Sequence, residues 1–362
     1  MKIFVLGILV HPTSKPTGFQ GNGLFFRQLA DEGAKLGIAI FVFSPIHVYW
    51  KQKVLEGYLY DLANNKWRWR KIPFPKVVYD RYFNLGKGWR AALYCRRNFG
   101  KKGVSIFNPV VADKFKIHCQ LNKDQEIALH IPETYLFKGV ESEQRQLLNL
   151  WDKAYLKPVL GTKGEGIIRI SHNGKNGKIY IEEARKSRGN WASGRKAIIF
   201  LQSLTKNKKY IIQKAIEPLR WNDKIFDLRV LVQRGGEGNW QITGMAARQA
   251  SNGITCNLHT GASAISLDSL WDDKVITITQ EEIEKLSLKI AQRLTAHYPS
   301  LGELGLDFLV DQDNKLWFLE ANARPGRIIF QKIGDEEKRL MAVRRPLEYA
   351  KYLASQKKSQ VK

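Results

Sequence analysis

Three oxygen-bearing side chains near the C-terminus have the types and spacing of a magnesium site. Asp307 lies in an apolar segment, and Glu320 and Asn322 lie two positions apart in LWFLEAN. Because residues i and i+2 of a strand point to the same face, Glu320 and Asn322 can present their oxygens side by side. Magnesium is usually held by one or two carboxylates together with substrate phosphates. The trio therefore predicts a metal with a bound nucleotide, although solvated turn residues of these types are also common.

The segments around the trio predict the two strands that would position it. Apolar residues alternate over 304–310, a DQDNK turn follows at 311–315, and a second apolar segment covers 316–319. This pattern is typical of a β-hairpin. In that hairpin Asp307 lies on one strand and Glu320 on its neighbour, so the three side chains converge.

Length and charge limit the classes of protein that this chain can belong to. With 362 residues and 44% hydrophobic content, it can bury a large core and should form two or three domains or subdomains. Lys and Arg outnumber Asp and Glu by 59 to 34, which gives a net charge of +25. Such a charge attracts anions, but it does not choose among nucleic acid, an anionic polymer, membrane headgroups, a nucleoside triphosphate and acidic peptides.

The cysteines and the apolar segments indicate a protein of a reducing compartment without a membrane span. Cys95, Cys119 and Cys256 are odd in number and lack CxxC spacing, so they suggest neither a disulfide framework nor a zinc site. Residues 3–10 are apolar, but they are too few for a signal peptide with its cleavage pattern, and we interpret them as a buried first strand. No segment reaches the length of a membrane span.

The N-terminal part has the alternation of an α/β domain. The strand at 3–10 is followed by a GFQGNG loop, a helical stretch closed by Gly37 and a second apolar strand, which predicts a parallel sheet with flanking helices. Segment 57–83 is rich in aromatic and basic residues, which fits a nucleic-acid stacking surface or, more commonly, a packed sheet edge. Residues 107–109 suggest a domain boundary. The clearest helix is 279–298, with a capping box and an apolar stripe.

Several segments between the boundary and the trio could contact a nucleotide. Lys157 precedes a Gly-rich loop in which backbone amides can approach phosphate oxygens, with residues Gly161, Lys163, Gly164 and Gly166. A Gly-rich hairpin without a ligand would look the same. Strand 210–214 ends in Gln213 and Lys214, where a side-chain amide and adjacent backbone groups could hydrogen-bond an adenine edge. An ordinary strand end would look the same.

Two arginines and a small polar loop follow. Arg229 and Arg248 lie on strands joined by a Gly-rich turn, and a guanidinium group matches phosphate or carboxylate with paired donors. Either arginine could instead be the structural partner of Asp227. The loop SNGITCNLHTGASA offers Asn257 and His259 as contacts, and we give His259 no acid or base role.

In this order the elements resemble the ATP-grasp superfamily over about residues 110 to 355. Each element is weak alone, whereas the ordered set is specific: Lys114, Lys157 with its loop, Gln213, Lys214, Arg229, Arg248, Asp307, Glu320 and Asn322. Segments 57–83 and 225–264 look more narrowly like the spore-coat-associated YheC/YheD-like branch. NLHTGASA at 257–264 is also similar to the ribosomal-protein glutamate ligases.

The resemblance implies a chain with α/β and α+β parts. A Rossmann-like pre-ATP-grasp domain would cover 1–108, followed by a two-subdomain ATP-grasp fold. The small subdomain would cover 109–216 and contain the Gly-rich loop. The large subdomain would cover 217–355 and contain the metal site, and a basic tail would cover 356–362. The implied cofactors are ATP and one or two Mg²⁺ ions, with Mn²⁺ as a substitute.

The resemblance also implies a role for each site residue. Phosphates and adenine would contact Lys114 and Lys157, with loop 161–166 closing over the phosphates. The adenine would be lined by Gln213, Lys214, Ile216, Leu309 and Leu319. One or two metal ions would be held by Asp307, Glu320 and Asn322. The transferred phosphate and the acyl phosphate would face Arg229 and Arg248, and the substrate would contact Arg324 and Asn257.

The activity that this implies is an ADP-producing carboxylate–amine ligase. Activation of a carboxylate by ATP needs charge neutralisation on the γ-phosphate, which magnesium and arginine provide. One departure concerns the substrate pocket: the D-alanine ligases of the superfamily have an arginine two residues before the first metal Asp, where this chain has Gly305. Arg229 is the candidate to take over that role.

Two other functions stay open at this point. One is a spore-coat scaffold that retains the fold without catalysis, and the other is a nucleic-acid-binding protein, the least favoured partner class. For the ligase, the expected partners are carboxylate and amine substrates, with an acidic peptide or anionic polymer favoured by the basic charge. The expected location is the cytoplasm, with association to the endospore coat, and the sequence does not define an oligomeric state.

Overall fold

A computed structural model describes most of the chain. The residues described are 4–12, 19, 22–82, 88–109, 113–138, 151–161, 165–173, 178–184, 190–205, 208–251, 256, 258 and 261–359. They form three β-sheets with helices packed on them. None of the helices in these ranges is long and apolar enough to cross a membrane.

The first sheet has a parallel centre and an antiparallel edge, in the order β4-β3-β2-β1-β5-β6. Its strands are β1 Phe4–Leu9, β2 Ile38–Tyr49, β3 Val54–Asp61, β4 Lys66–Pro73, β5 Val77–Asp80 and β6 Ser105–Phe107. Helices α1 Gly23–Lys35 and α2 Trp89–Lys101 follow β1 and β5. Strands β2, β1, β5 and β6 run parallel, which confirms the predicted strand–helix–strand alternation, while β3 and β4 form an antiparallel hairpin.

The second sheet is antiparallel, in the order β11-β10-β9-β8-β12-β7. Its strands are β7 Thr134–Phe137, β8 Lys153–Pro158, β9 Ile168–Asn173, β10 Lys178–Glu183, β11 Asn190–Ser193 and β12 Tyr210–Lys214. The helices of this part are α3 Lys114–Leu121, α4 Gln125–Ala128 and α5 Gly194–Thr205. The Gly-rich segment joins β8 to β9. Gly166 there has a φ of +72°, and a Cβ would lie 3.0 Å from Pro158, so a glycine is required.

The third sheet is also antiparallel, in the order β16-β15-β14-β17-β18, with a short strand, β13, beside β14. Its strands are β13 Arg220–Trp221, β14 Lys224–Arg234, β15 Trp240–Gln249, β16 Ser263–Ile265, β17 Glu303–Val310 and β18 Leu316–Asn322. The helices are α6 Leu267–Asp272, α7 Gln280–His297, α8 Ile328–Lys332 and α9 Glu336–Ser359. Helix α7 begins with the predicted capping box, in which Thr279 and Glu282 satisfy each other's backbone amides.

The core under the third sheet places one face of β17 against α7 and leaves the other for polar residues. Leu304, Leu306 and Phe308 are fully buried in a cluster with Ile283 and Ile290 of α7. Helix α9 packs on both sheets: its Ala342 joins Leu231 of β14 in a buried cluster, and its Val343, Leu347 and Tyr349 belong to the core of the first sheet. The C-terminal helix therefore links the first and third sheets.

A buried polar network also joins the first sheet to the third. Glu303 of β17 accepts from Arg81 at 3.0 Å and also from Tyr79 and Arg327. Asn108, where the sequence suggests a domain boundary, is fully buried, and its side-chain oxygen accepts from the backbone N–H of Glu303 at 2.9 Å. Because buried charges are costly unless paired, this network holds the two sheets in one arrangement. The predicted domain limits and the Rossmann-like character of the first domain stay predictions.

Candidate active site

One face of the third sheet carries a row of polar residues across three strands. Arg229 of β14 is the register partner of Asp307 of β17, and Asp307 is the register partner of Glu320 of β18. Gly305 and Asn322 form the next pair on the same face of β17 and β18. Directly opposed residues share a face of the sheet, so the predicted hairpin and its convergence of Asp307, Glu320 and Asn322 are confirmed.

Asp307 is held by both predicted arginines. Arg229 donates to it through Nε and, at 2.9 Å, through Nη2, and Nη2 of Arg248 lies 3.0 Å from Asp307 Oδ2. Arg248 also donates to both oxygens of Asp227 at 2.6 and 2.7 Å. Burial raises the pKa of Asp227, with Arg248 opposing that shift. Both arginines are thus partners of carboxylates, as the structural interpretation expected, and their predicted role toward phosphate stays a prediction.

The glycine that departs from the D-alanine ligase pattern makes room for Arg229. A Cβ at Gly305 would lie 3.4 Å from Nη1 and 3.6 Å from Cδ of Arg229, and 2.9 Å from Cβ of Pro325. The side chain of Arg229 therefore occupies the space over Gly305. That Arg229 takes over the role of the missing arginine stays a prediction.

Glu320 faces a lysine from the start of helix α3. Lys114 Nζ lies 2.9 Å from Glu320 Oε2, and the amide of Asn322 donates to Glu320 Oε1 at 3.0 Å. The N-cap Asp113 and a bond from the Lys114 amide to the carbonyl of Val159 position this turn. Burial would raise the pKa of Glu320, but Lys114 and Asn322 outweigh it and hold that pKa well below its usual range.

A second lysine approaches from the second sheet. Lys157 of β8 donates to Gln213 of β12 at 2.6 Å, and Gln213 donates to Thr134 of β7 at 2.8 Å. Burial, and then the nearby Lys114, lower the pKa of Lys157 to about 8. A buried lysine whose pKa is lowered by burial and by a second lysine marks a site for an anion.

These groups line a cavity formed by α3, the second sheet and strand β18. Predicted residues at this cavity are Lys114, Lys157, Gln213, Leu319 and Glu320. The sequence did not predict the other lining residues, which are mostly apolar: Ile117, His118, Ile131, Thr134, Ile211, Phe318 and Ala321. An apolar cleft with a few convergent polar groups is typical of small-molecule sites. The alternation of β12 was a usable signal for Ile211, which shares a face with Gln213.

Other predicted residues lie outside this lining. Lys214 is exposed and pairs with Glu133 at 3.4 Å on the face of β12 opposite Gln213. Ile216 and Leu309 are half-buried without lining the cavity, and Gly161 and Gly166 lie in the β8–β9 connection. The predicted contacts Lys163, Gly164 and Asn257 lie outside the described residues, as does His259.

The predicted substrate contact Arg324 lies where the first and third sheets meet. It donates to Asp80 at 3.0 Å, and Asp80 is fully buried and also pairs with Arg96 at 2.5 Å. Arg324 follows Asn322 by two residues, so this contact connects the candidate metal site to the carboxyl end of β5.

The donor set fits a magnesium ion that is shared with a nucleotide. No three His, Cys, Asp or Glu side chains within the described ranges form a complete metal cluster. The two carboxylates and the amide of Asp307, Glu320 and Asn322 would leave coordination positions for phosphate oxygens, which is how magnesium is usually bound with nucleotides. The lysines beside Glu320 add the charge that phosphates require.

Comparison with solved structures defines the class of fold. The structure is similar to that of the D-cycloserine synthetase DcsG, with a TM-score of 0.57 and 12% identity over 96% of this chain and 99% of that one. It is also similar to D-alanyl-alanine synthetase A from Vibrio cholerae, with a TM-score of 0.53 and 12% identity over 98% of each chain. At these identities the likeness shows the fold, which is ATP-grasp, and ATP-grasp enzymes in general bind ATP and Mg²⁺.

Sequence comparison defines the family. A family model described as YheC/D like ATP-grasp matches residues 103–353, so the chain belongs to the YheC/D-like ATP-grasp family. The endospore coat-associated protein YheD of Bacillus subtilis is 29% identical to this chain over 97% of this chain and 78% of that protein. The resemblance predicted from the sequence is confirmed.

Proposed function

We propose that this protein is an ATP- and magnesium-dependent ligase that joins a carboxylate to an amine through an acyl phosphate. Its ATP-grasp fold is similar to that of ligases such as D-alanyl-alanine synthetase, which supports the reaction class. The observation that carries the proposal is the meeting of Lys114, Lys157 and Glu320 in one cavity, next to Asp307.

The charge balance of this site suits a magnesium–nucleotide complex. The site holds four cations, which are Lys114, Lys157, Arg229 and Arg248. They face the three carboxylates of Asp227, Asp307 and Glu320, so one positive charge is in excess. Asp307, Glu320 and Asn322 would hold the metal, which offsets the negative charge of the phosphates. Each carboxylate that turns to the metal frees a cation for a phosphate oxygen.

The reaction would proceed in two steps that need no nucleophilic side chain. An oxygen of the substrate carboxylate attacks the γ-phosphorus, the bond to the β–γ bridging oxygen breaks, and ADP leaves. The amine nitrogen then attacks the carbonyl carbon, phosphate leaves with the bonding pair, and the nitrogen loses a proton to solvent. Arg229 and Arg248 would stabilise the charge on the transferred phosphoryl group, because guanidinium donors in a buried site need little reorganisation.

The substrate side of the site is defined more weakly than the nucleotide side. We assign Arg324 and Asn257 to it, and the basic charge of the chain favours an acidic peptide or anionic polymer as the acid. A screen of acid and amine pairs for ATP turnover tests this assignment. A clear preference for neutral substrates would contradict it.

The ligase proposal is tested by nucleotide binding and turnover. The purified protein is incubated with ATP, magnesium and pools of acids and amines, and ADP and phosphate are measured. Glu320→Gln should lower turnover by at least about a hundredfold, since it removes a metal ligand, whereas Glu337→Gln, the same change at an exposed site, should have no effect. Failure of the unmodified protein to bind ATP would refute the proposal.

A second candidate function is a coat scaffold that binds without catalysis. Its support is the relative named as endospore coat-associated. We place the protein in the cytoplasm, with the endospore coat as the site of association. A Glu320→Ala, Asn322→Ala double variant separates the two functions. Normal coat localisation and partner capture by this variant would favour the scaffold, and loss of the cellular phenotype with intact folding would favour the ligase.

A further inference from the structure

Positive charge is concentrated in the N-terminal part of the chain. Residues 1–108 contain 18 Lys and Arg against 5 Asp and Glu, a net charge of +13. The remaining 254 residues contain 41 Lys and Arg against 29 Asp and Glu, a net charge of +12. The candidate active site lies on the second and third sheets, so nucleotide binding does not account for the charge of the first domain.

Much of this charge surrounds an open sheet edge. We call β3, β4 and the turn between them, Val54–Pro73, the edge hairpin. Strand β4 is the outermost strand of its sheet and pairs with β3 along all eight of its residues. Within the described part of the chain, no strand pairs with the outer edge of β4. Such an edge presents backbone N–H and C=O groups that can pair with another extended chain.

The charges around the edge hairpin are not balanced within it. Residues 51–76 contain seven Lys and Arg and two acidic residues. Both carboxylates are already paired, Asp61 with Arg68 at 2.5 Å and Glu56 with Lys71 at 3.6 Å. The other five cations are exposed and have no ion-pair partner among the described residues: Lys51, Lys53, Lys66, Arg70 and Lys76.

Exposed aromatic rings lie between these cations. Trp69 of β4 is 42% exposed and Tyr49 of β2 is 37% exposed. The ring of Trp69 stands edge-on to Tyr58 and to His47, each at 4.9 Å, so it is held in place. Since side chains alternate along a strand, Trp69 and Arg70 point to opposite faces of the edge. An added strand would therefore meet an aromatic surface on one face and a cation on the other.

We propose that the edge hairpin is a docking surface for an extended acidic polypeptide segment, which adds as a strand along β4. Carboxylates of the segment would pair with the five exposed cations, and alternate side chains would lie on Trp69. Lysines and arginines at an edge repel a second copy of the same strand, so the charge selects an acidic partner over self-association. A single-stranded nucleic acid satisfies the charge but has no peptide groups to continue the ladder.

The test measures binding of a synthetic peptide to the full-length protein. The probe is a fluorescent peptide of alternating Glu and Val, and binding is followed by fluorescence anisotropy. Arg70→Glu should weaken binding about tenfold, whereas Arg97→Glu, the same charge change at an exposed site of α2, should have an effect of about twofold or less. Trp69→Ala should also weaken binding, without any change of charge.

A proline-containing peptide distinguishes strand addition from charge attraction alone. Proline at every second position keeps the glutamates but removes N–H groups that the ladder needs, so this peptide should bind at least about tenfold more weakly. Hydrogen exchange should show new protection of amides in Lys66–Pro73 when the first peptide binds. Equal binding of both peptides, or equal losses in Arg70→Glu and Arg97→Glu, would overturn the proposal.

A nucleic-acid control decides the class of partner. If a single-stranded oligonucleotide of the same charge binds as tightly as the peptide and protects the same amides, the polypeptide assignment is wrong. None of these measurements uses ATP, so the docking proposal and the ligase proposal can fail separately.

Discussion

Lys157 should take up a proton when ATP binds. The number of protons taken up per bound ATP should increase with pH, with its midpoint at the Lys157 pKa of about 8. Burial and then Lys114 lower the pKa of Lys157 from 10.5 to about 8. Phosphate oxygens beside the ammonium group would favour its charged form and raise this pKa. Binding is therefore coupled to protonation, and the affinity for ATP should fall as the pH rises above about 8.

The size of the effect follows from the fraction of Lys157 that is neutral before binding. At pH 8 that fraction is about one half, so each bound ATP should bring about half a proton, whereas at pH 7 the uptake should be about a tenth. Above pH 8 the affinity should fall about tenfold for each pH unit until the pKa of the bound state is reached. Titration calorimetry in buffers of different ionisation enthalpy measures this uptake together with the affinity.

Two substitutions assign the proton to this residue. Lys157→Arg keeps a permanent positive charge, so it should bind ATP measurably without proton uptake near pH 8. Lys157→Met should lose both the uptake and most of the affinity. An uptake in Lys157→Arg as large as in the unmodified protein would assign the proton to another group and refute the reasoning. An equal proton uptake at pH 7 and pH 8 in the unmodified protein would also refute the reasoning.

Three further outcomes follow from the packing and charges of the structure. Gly305→Ala should cost about 1–3 kcal/mol in urea unfolding and lower ligase turnover, because the methyl group meets Pro325 and Arg229. Gly100→Ala, a helical position with open space, is its control and should be neutral or stabilising. Glu303→Gln should cost about 3 kcal/mol in the same assay, since it leaves buried arginines without their carboxylate, and an unchanged midpoint would contradict that role. Free Mg²⁺ should leave the melting temperature unchanged, whereas Mg²⁺ with ATP should raise it; a clear shift with the metal alone would contradict the expected joint binding.

Local patterns predict the hairpin and the helix that carry and support the metal trio. Apolar residues on alternate positions of β17 bury one face against α7, which forces Asp307 to the opposite face, and the antiparallel register then brings Glu320 beside it. The capping box at Thr279 is equally local, because its two partners are three residues apart. These features need only neighbours along one element or across one turn.

The pairings between distant segments could not be read from the sequence. Asp307 has two arginine partners from two other strands, and the sequence offered Asp227 as a partner without indicating that Arg248 reaches both carboxylates. Thr134 carried no signal of its contact with Gln213, which depends on how β7 pairs with β12. The period of two in β12 does imply that the side chains of Gln213 and Lys214 point to opposite faces of the sheet.

The ion pairs within the candidate site explain why metal and nucleotide should bind together. A free magnesium ion would have to take Asp307 from two arginines and Glu320 from Lys114, and those cations would then lack partners in a partly buried site. Phosphate oxygens remove this obstacle, because each released cation gains an anionic partner while the metal gains its ligands. The same exchange raises the pKa of Lys157, so proton uptake reports whether the phosphates have replaced the internal pairs. Under the proposed function, the lysines and arginines around the trio would therefore protect its carboxylates from free metal and reserve them for the metal–nucleotide complex.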